Sequence, residues 1–233
     1  MGLMKWRRKK YMNKLLIDKD NLLTLNDEKV NLEIKVSNLK IIVFGNVNIT
    51  DFSNNDDLNL EIELKDGSKL LYNKYNQQLN KYHLDVTLNN DSFLEYNQSL
   101  LTKKKSEITI NTLIKGNGNK CQINCYGVSD DDGQITIEAT GDVKKKIKNN
   151  EMLENLRILM LNDAENIIIP NLLVASNEVS VNHNATISSV DPNYLMALES
   201  KGLSKEEASK LLVNGFIKHN LKVDEEMIDL INY

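Results

Sequence analysis

The sequence predicts a mainly β body followed by a small α-helical domain. From about residue 29 onward, apolar and polar residues alternate with period two in several short segments. Clusters of Asp, Asn and Gly, typical of turns, separate these segments. After residue 190 the apolar spacing changes to that of a helix. We therefore expect a basic N-terminal helix and lead-in at 1–28, a β body at 29–190 and a helical domain at 191–233.

The alternating segments place apolar side chains on one face of a sheet and polar side chains on the other. They cover residues 30–36, 58–64, 84–88, 121–125 and 134–138. Short strands at such spacing are typical of a β-sandwich, a β-barrel or a β-solenoid. The pattern by itself leaves these three architectures open.

Capping signals predict the helices of the C-terminal domain. Asp191 followed by Pro192 is an N-cap with proline at the first helical position, and Gly202 fits the end of that helix. Ser204 and Glu207 form a capping box for a second helix. The expected apolar stripe of this second helix consists of Ala208, Leu211, Leu212, Gly215 and Phe216.

Composition and charge narrow the function classes. The formal net charge is −4, yet residues 1–14 contain six basic side chains and no acid. This basic run has no companion patch, so we expect a short solvated helix and no nucleic-acid partner. No apolar run approaches the length that spans a membrane, and the N-terminus lacks the apolar core of a signal peptide. With two cysteines, the expectation is a cytoplasmic protein that contacts no membrane.

An ordered series of short motifs in the last third of the chain resembles the SufB/SufD family, the β-helical subunits of iron–sulfur cluster assembly machinery. The series is Pro170, 172–174 (Leu-Leu-Val), 183–186 (His-Asn-Ala-Thr), Asp191, 200–204 (Ser-Lys-Gly-Leu-Ser), 207–208 (Glu-Ala), 211–212 (Leu-Leu) and 215–216 (Gly-Phe). The likeness extends over about residues 155–218 and is closer to SufD than to SufB. It implies a right-handed parallel β-helix, which favours the solenoid over the sandwich.

The resemblance also implies a role and partners. Family members pair through their β-helices, so it implies a second SufB/SufD-like subunit in a homodimer or heterodimer. Their C-terminal helices dock an ABC ATPase called SufC, which implies a non-catalytic scaffold subunit here. On this chain the implied docking residues are Leu203, Glu207, Leu211, Leu212 and Phe216.

His183 is the candidate cluster-assembly residue that the resemblance implies, because the matching His of SufD-like chains lies at the dimer interface. SufB-like chains carry a Glu at the next position, where this chain has Asn184. They also carry a ligand Cys ahead of the proline strand, where the nearest match is Ala164. One imidazole cannot hold a cluster. We therefore expect no cofactor bound stably by the chain alone, and a transient iron–sulfur cluster at a subunit interface.

The two cysteines have a structural and a functional interpretation. Cys121 and Cys125 lie four residues apart on one face of an alternating segment, roughly 13 Å apart in a strand. This separation excludes a disulfide and shared ligation of one metal ion. Packing in the core is the favoured interpretation. A sulfur-relay role, which SufB-like proteins give to a β-helix cysteine, is the alternative.

Two other functions stay open at this stage. The chain could be a structural β-helix paralogue in which His183 has no cluster role. It could also be an unrelated β-solenoid that acts on carbohydrate. Such proteins need paired carboxylates and aromatic subsites, and an aromatic content of 6% with no obvious acidic pair disfavours this alternative.

Overall fold

The computed structural model describes residues 13–19, 21–161 and 163–231. The described chain forms fifteen strands followed by three helices. The strands are β1 (Asn13–Ile17), β2 (Leu22–Asn26), β3 (Lys29–Ile34), β4 (Asn38–Phe44), β5 (Asn46–Asp51), β6 (Asp57–Leu64), β7 (Lys69–Gln77), β8 (Lys81–Leu88), β9 (Phe93–Thr102), β10 (Lys105–Ile114), β11 (Lys120–Ser129), β12 (Gln134–Val143), β13 (Asn150–Met160), β14 (Ile167–Val174) and β15 (Val179–Ser189). The helices are α1 (Pro192–Glu199), α2 (Lys205–Asn220) and α3 (Glu225–Ile228).

Consecutive strands alternate between two parallel sheets. The odd-numbered strands form one sheet in the order β1 to β15, and the even-numbered strands form the other in the order β14 to β2. Each coil of the chain therefore adds one strand to each sheet, which confirms the predicted parallel β-helix. The coils lengthen along the chain: Asn13 pairs with Val30, 17 residues on, whereas Cys121 pairs with Met152, 31 residues on.

The core lies between the two sheets. Period-two alternation directs one series of apolar side chains inward from every strand, as in β6, where buried and more exposed residues alternate along the strand. Ile62 on β6 and Tyr96 on β9 are fully buried members of one continuous cluster. Each coil thus covers the inner residues of its neighbours, and a strand of the last coil has such cover on one side alone.

The sheets begin before the body expected at residue 29. Strand β1 pairs with β3, and β2 pairs with β4, so both strands lie inside the sheets. Apolar residues are adjacent in both strands, at 15–17 in β1 and 22–23 in β2, so the period-two pattern did not mark them. The expected basic helix falls largely on residues 1–12, which lie outside the described residues. At the other end, β15 stops at Ser189, and α1 begins at Pro192.

The predicted caps of α1 and α2 are present, whereas Asp224 at the start of α3 makes no side-chain capping hydrogen bond. The Asp191 side chain accepts a hydrogen bond from the Asn193 backbone N–H at 2.8 Å at the start of α1. At the start of α2, Ser204 and Glu207 form the reciprocal capping box. Within the described residues, no helix combines the length and the apolar character needed to cross a membrane.

Helix α2 lies on the outer face of the odd-numbered sheet, against β9 and β11. The apolar residues that share this second core are Tyr75, Leu101, Val128, Leu159, Val213, Ile217, Leu221 and Ile231. The buried face of α2 is rotated by part of a turn from the predicted apolar stripe. Ala208 is buried as expected, but Val213 and Ile217 are buried in place of Leu211 and Leu212. Asn220 extends the buried face, since its amide donates to the Gln98 carbonyl at 2.7 Å.

Candidate functional site

The last coil of the β-helix presents an open edge. Strands β14 and β15 end the two sheets, and each pairs with a neighbour on one side within the described residues. Large apolar side chains are exposed on both strands, among them Ile169, Leu173 and Ile187. An edge of this kind offers unpaired backbone groups and apolar surface to another chain.

His183 lies on β15 in the inward-directed series of that strand. Val179 and Val181 precede it at period two, and both pack against the main core. The residue opposite His183 on β13 is Glu154. Because no further coil covers β15 within the described residues, the His183 side chain is exposed even though it belongs to the inner face.

Glu154 is the buried acid next to this histidine. It is 1% exposed and sits between the apolar inward residues Met152 and Leu156 of β13. Its Oε2 atom has no hydrogen-bond partner in the described part of the chain. Burial raises the pKa of Glu154 to about 7, because the charged carboxylate is poorly solvated there. The alternating pattern did not reveal this residue, since an acid occupies an inward position where an apolar residue is expected.

The two cysteines are free and buried. Both point inward from β11 into the core, with the buried Ile123 between them. Burial raises the pKa of Cys121 far above its ordinary value, and the nearby Glu154 charge adds to the effect. Burial likewise raises the pKa of Cys125 to about 12. Since the thiolate is the nucleophile, these thiols are chemically quiet in this conformation, which favours the interpretation as core residues.

Asn184 belongs to a ladder of asparagines on the outer face of the odd-numbered sheet. Asn184 donates to Asn155 at 2.9 Å, Asn155 to Asn124 at 2.8 Å, Asn124 to Asn97 at 2.7 Å, and Asn97 to Asn73 at 3.2 Å. The residue that replaces the SufB-like glutamate therefore forms the last rung of a structural array. Sequence reasoning missed the ladder because unequal coil lengths hide its repeat.

Ala164, the other departure from the SufB-like pattern, lies in the connection before β14. Its carbonyl accepts a hydrogen bond from the Asn166 side chain at 3.0 Å. Asn166 also donates to the Ser129 hydroxyl at 3.1 Å, which holds this connection against the end of β11. The position of Ala164 thus serves the local fold.

A second polar cluster lies inside the middle coils. The Asp51 carboxylate accepts from Lys74 Nζ at 2.6 Å and from the Tyr72 hydroxyl at 2.9 Å. The Tyr96 hydroxyl lies 2.9 Å from the Tyr82 hydroxyl and 3.1 Å from Gln98 Oε1, and its single hydrogen can be donated to either of them. Burial raises the pKa of the Tyr72 hydroxyl, which therefore stays protonated and donates to Asp51. The sequence did not predict this cluster. Its members lie on different strands, and the pairing register between those strands cannot be read from the sequence.

The candidate docking residues on α2 divide into two groups. Leu211 is 54% exposed, and Leu203 and Leu212 are half-buried, so their apolar atoms face solvent at least in part. Glu207 and Phe216 have internal partners instead. Glu207 accepts from the Ser204 backbone N–H at 2.8 Å, and Phe216 packs on Tyr126 with ring centroids 5.1 Å apart.

The arrangement can supply two donor groups of different chemistry from neighbouring strands. In the part of the chain that the structure describes, no three His, Cys, Asp or Glu side chains come together as a metal site. The imidazole of His183 and the carboxylate of Glu154 are therefore an incomplete ligand set. A cluster at this edge would need further ligands besides these two described side chains.

Comparison with known proteins finds similarity of this sequence to one family. The family model described as "SUF system FeS cluster assembly, SufBD core domain" matches residues 50–216. The iron–sulfur cluster assembly SufBD family protein of Methanocaldococcus jannaschii is 27% identical over 139 residues, 57% of this chain and 42% of the relative. The iron–sulfur cluster assembly protein SufD of Bacillus subtilis is 31% identical over 93 residues, 40% of this chain and 21% of the relative. The chain spans less than half the length of these relatives.

Proposed function

This chain belongs to the SufB/SufD family of iron–sulfur cluster assembly proteins, and on that premise we propose that it is a non-catalytic subunit of a cluster assembly complex. The observation that supports this role is the open edge of the β-helix, where His183 lies beside exposed apolar residues of β14 and β15. The iron–sulfur cluster is cargo that forms at this edge. We further infer that the complex works in the cytoplasm, since both cysteines of the chain are free thiols.

The edge pairs with a second SufB/SufD-like subunit. Ile169 and Leu173 on β14 and Ile187 on β15 present apolar surface next to unpaired backbone groups. A parallel sheet that stops in this way is an aggregation hazard unless another element covers it. A second β-helix that adds its own edge strands would satisfy the backbone groups and bring further ligands near His183.

The helical domain docks a SufC-type ABC ATPase through the exposed apolar residues of α1 and α2. Tyr194 and Met196 on α1 are each 65% exposed, and Leu211 on α2 is 54% exposed. Leu203 and Leu212 lie at the margin of this surface. The buried face of α2 is occupied by the odd-numbered sheet, which leaves the exposed face for the ATPase.

The test is anaerobic co-expression with the candidate ATPase, followed by pull-down and measurement of the complex mass. The wild-type chain is expected to retain the ATPase, whereas L211D is expected to lose most of it, because a charge would lie in the apolar contact. L230D is the matched control, since Leu230 is a similarly exposed leucine outside α1 and α2. Deletion of the helical domain would be a poor test, since that domain covers Leu101 and Val128 of the sheet.

Equal retention by wild type and L211D would show that docking uses another surface. Failure of the wild-type chain to retain any ATPase would contradict the proposed role of the helical domain. A complex that forms without the second β-helix subunit would separate ATPase docking from subunit pairing.

A structural subunit without a cluster role is the second candidate. It is supported by Asn184, which the ladder holds in a structural position, and by the incomplete ligand set at His183. In that case the same complex forms, and His183 is dispensable for cluster formation. Nothing in the described structure favours the carbohydrate-active alternative.

A further inference from the structure

We propose that Glu154 joins His183 as a second ligand for ferrous iron, so that the two side chains form an iron-binding pair at the open edge. This inference rests on the proposed function, because it takes iron as the cargo. It adds to that function a residue on β13, one strand inside the edge.

The sheet register brings the two side chains together. Glu154 and His183 are direct partners in the parallel pairing of β13 with β15. Neighbouring strands lie about 4.8 Å apart, and paired residues of a parallel sheet point to the same face. On β13 that face is marked by buried Met152 and Leu156, and on β15 by Val181. The carboxylate and the imidazole therefore project side by side into the same end of the β-helix.

Glu154 differs from the other buried acids of the described chain in having no cation. Asp51 pairs with Lys74 at 2.6 Å, Glu95 with Lys222 at 2.5 Å, and Asp130 with Lys103 at 3.2 Å. A buried carboxylate without a partner is costly, and it either carries a proton or binds a cation. A bound cation would satisfy the Oε2 atom of Glu154, and the paired position on β15 supplies His183 as a second donor to it.

The chemistry of the pair suits ferrous iron. Imidazole nitrogen and carboxylate oxygen are common donors to non-haem ferrous sites, which combine both types and leave positions open. Two protein donors hold the ion weakly, which fits a site that passes iron on. The remaining positions are open to sulfide or to side chains of the second subunit. The buried thiols of Cys121 and Cys125 are not needed in this scheme.

The test is anaerobic equilibrium dialysis of the purified chain against ferrous iron alone at pH 7.5. The wild-type chain is expected to bind one ion, and E154Q and H183A are each expected to weaken binding by roughly tenfold or more. E151Q is the matched control, because Glu151 lies on the same strand, is exposed and pairs with Lys120 at 3.0 Å. Urea unfolding of each variant checks that it is folded before dialysis.

Three outcomes would overturn the iron-binding pair. These are equal binding by wild type and E154Q, equal loss in E154Q and E151Q, and absence of ferrous binding by the wild-type chain. None of these outcomes touches the proposed function, which is tested by ATPase retention and by cluster yield in the assembled complex. Conversely, if the chain binds iron through both residues but retains no ATPase, the iron-binding pair is supported and the proposed complex with the ATPase is contradicted.

Discussion

The middle and the last coils each place an acidic residue opposite a basic residue on the inner face of the odd-numbered sheet. Within the described residues, the two side chains form an ion pair in the middle coils alone. In the middle coils, Asp51 on β5 faces Lys74 on β7, and the two are in contact at 2.6 Å and fully buried. In the last coils, Glu154 on β13 faces His183 on β15, and no ion pair joins these two side chains in the described structure. The acid is buried in both cases, but its basic neighbour is buried only in the middle coils.

The difference follows from how a β-helix buries its residues. Lys74 is covered by the next coil, where Gln98 on β9 occupies the paired position. The buried ammonium group of Lys74 therefore needs a counter-charge within the chain, and the Asp51 carboxylate provides it. His183 is on the last strand of its sheet. A charged group in the middle coils must find its partner within the chain, whereas under the proposed function a group at the open edge is completed by a second subunit.

The largest expected effect comes from breaking the complete pair. K74M removes the cation and leaves Asp51 buried with the Tyr72 hydroxyl and a backbone amide as partners. Removal of one member of a buried ion pair typically costs about 3–5 kcal/mol. Urea unfolding of K74M should therefore show a loss of that order in the free energy of unfolding.

The control for this prediction is K148M, because Lys148 and Glu178 form an ion pair at 2.8 Å in which both side chains are exposed. Exposed pairs of this kind contribute about 1 kcal/mol or less. If K74M lowers the free energy of unfolding no more than K148M does, Lys74 and Asp51 are not shielded from water as described, and the comparison with the last coils loses its basis.

The incomplete pair should respond to pH. Since the pKa of Glu154 is raised to about 7 in the folded chain, its burial penalty is absent below its ordinary pKa of 4.5. The penalty builds up as pH rises from 4.5 to 7, because the unfolded chain has lost the Glu154 proton there while the folded chain still holds it, and it is complete above pH 7. The wild-type chain should thus lose roughly 3 kcal/mol of stability between pH 4.5 and pH 8 from this residue, a shift of about 2.5 pKa units.

E154Q isolates this contribution because the amide does not titrate. The variant should match the wild type near pH 4.5 and exceed it in free energy of unfolding at pH 8. Urea unfolding across this range, in metal-free buffer, measures the difference directly. A constant difference between E154Q and wild type at all pH values would mean that Glu154 does not titrate in this range.

The smallest losses of stability are expected from substitutions in the asparagine ladder, and the loss should be smaller for a rung closer to the open edge. N124A removes hydrogen bonds on both sides of a buried rung, to Asn97 and from Asn155, and should cost about 2 kcal/mol. N184A removes one exposed hydrogen bond and should cost about 0.5 kcal/mol. Thermal unfolding of both variants provides the comparison. A larger loss from N184A than from N124A would show that the last rung is the stronger one.

Local pattern was sufficient to predict several of the strands and the caps of α1 and α2. Alternation at residues 58–64 predicts β6, and Asp191 with Pro192 predicts the start of α1, as the structure shows. The register between coils is not local, since successive rungs of the ladder are 24 to 31 residues apart. For this reason the structure was needed to find three features: the Asp51–Lys74 contact, the asparagine ladder and the position of Glu154 beside His183.

The face that α2 buries was also beyond the sequence. Leu211 and Val213 are both apolar and only two residues apart, so the periodicity of the helix allows either to face the sheet. The choice is made by Ile217 and Asn220, which fit the outer surface of β9 and β11 through apolar contact and through a hydrogen bond to Gln98. This tertiary contact turns the helix so that Leu211 faces solvent.

The most direct test of the account is to co-express H183A anaerobically with the candidate ATPase and the proposed second subunit and to measure cluster formation against wild type. H83A is the matched control, because His83 is a partly exposed histidine on β8, paired with Asp85 at 3.1 Å. If the cluster forms at the open edge, the H183A complex should assemble but contain less iron and labile sulfide than the wild-type complex. The H83A complex should contain as much as wild type. Equal cluster yield from wild type and H183A would contradict the ligand role and leave the chain as a structural subunit.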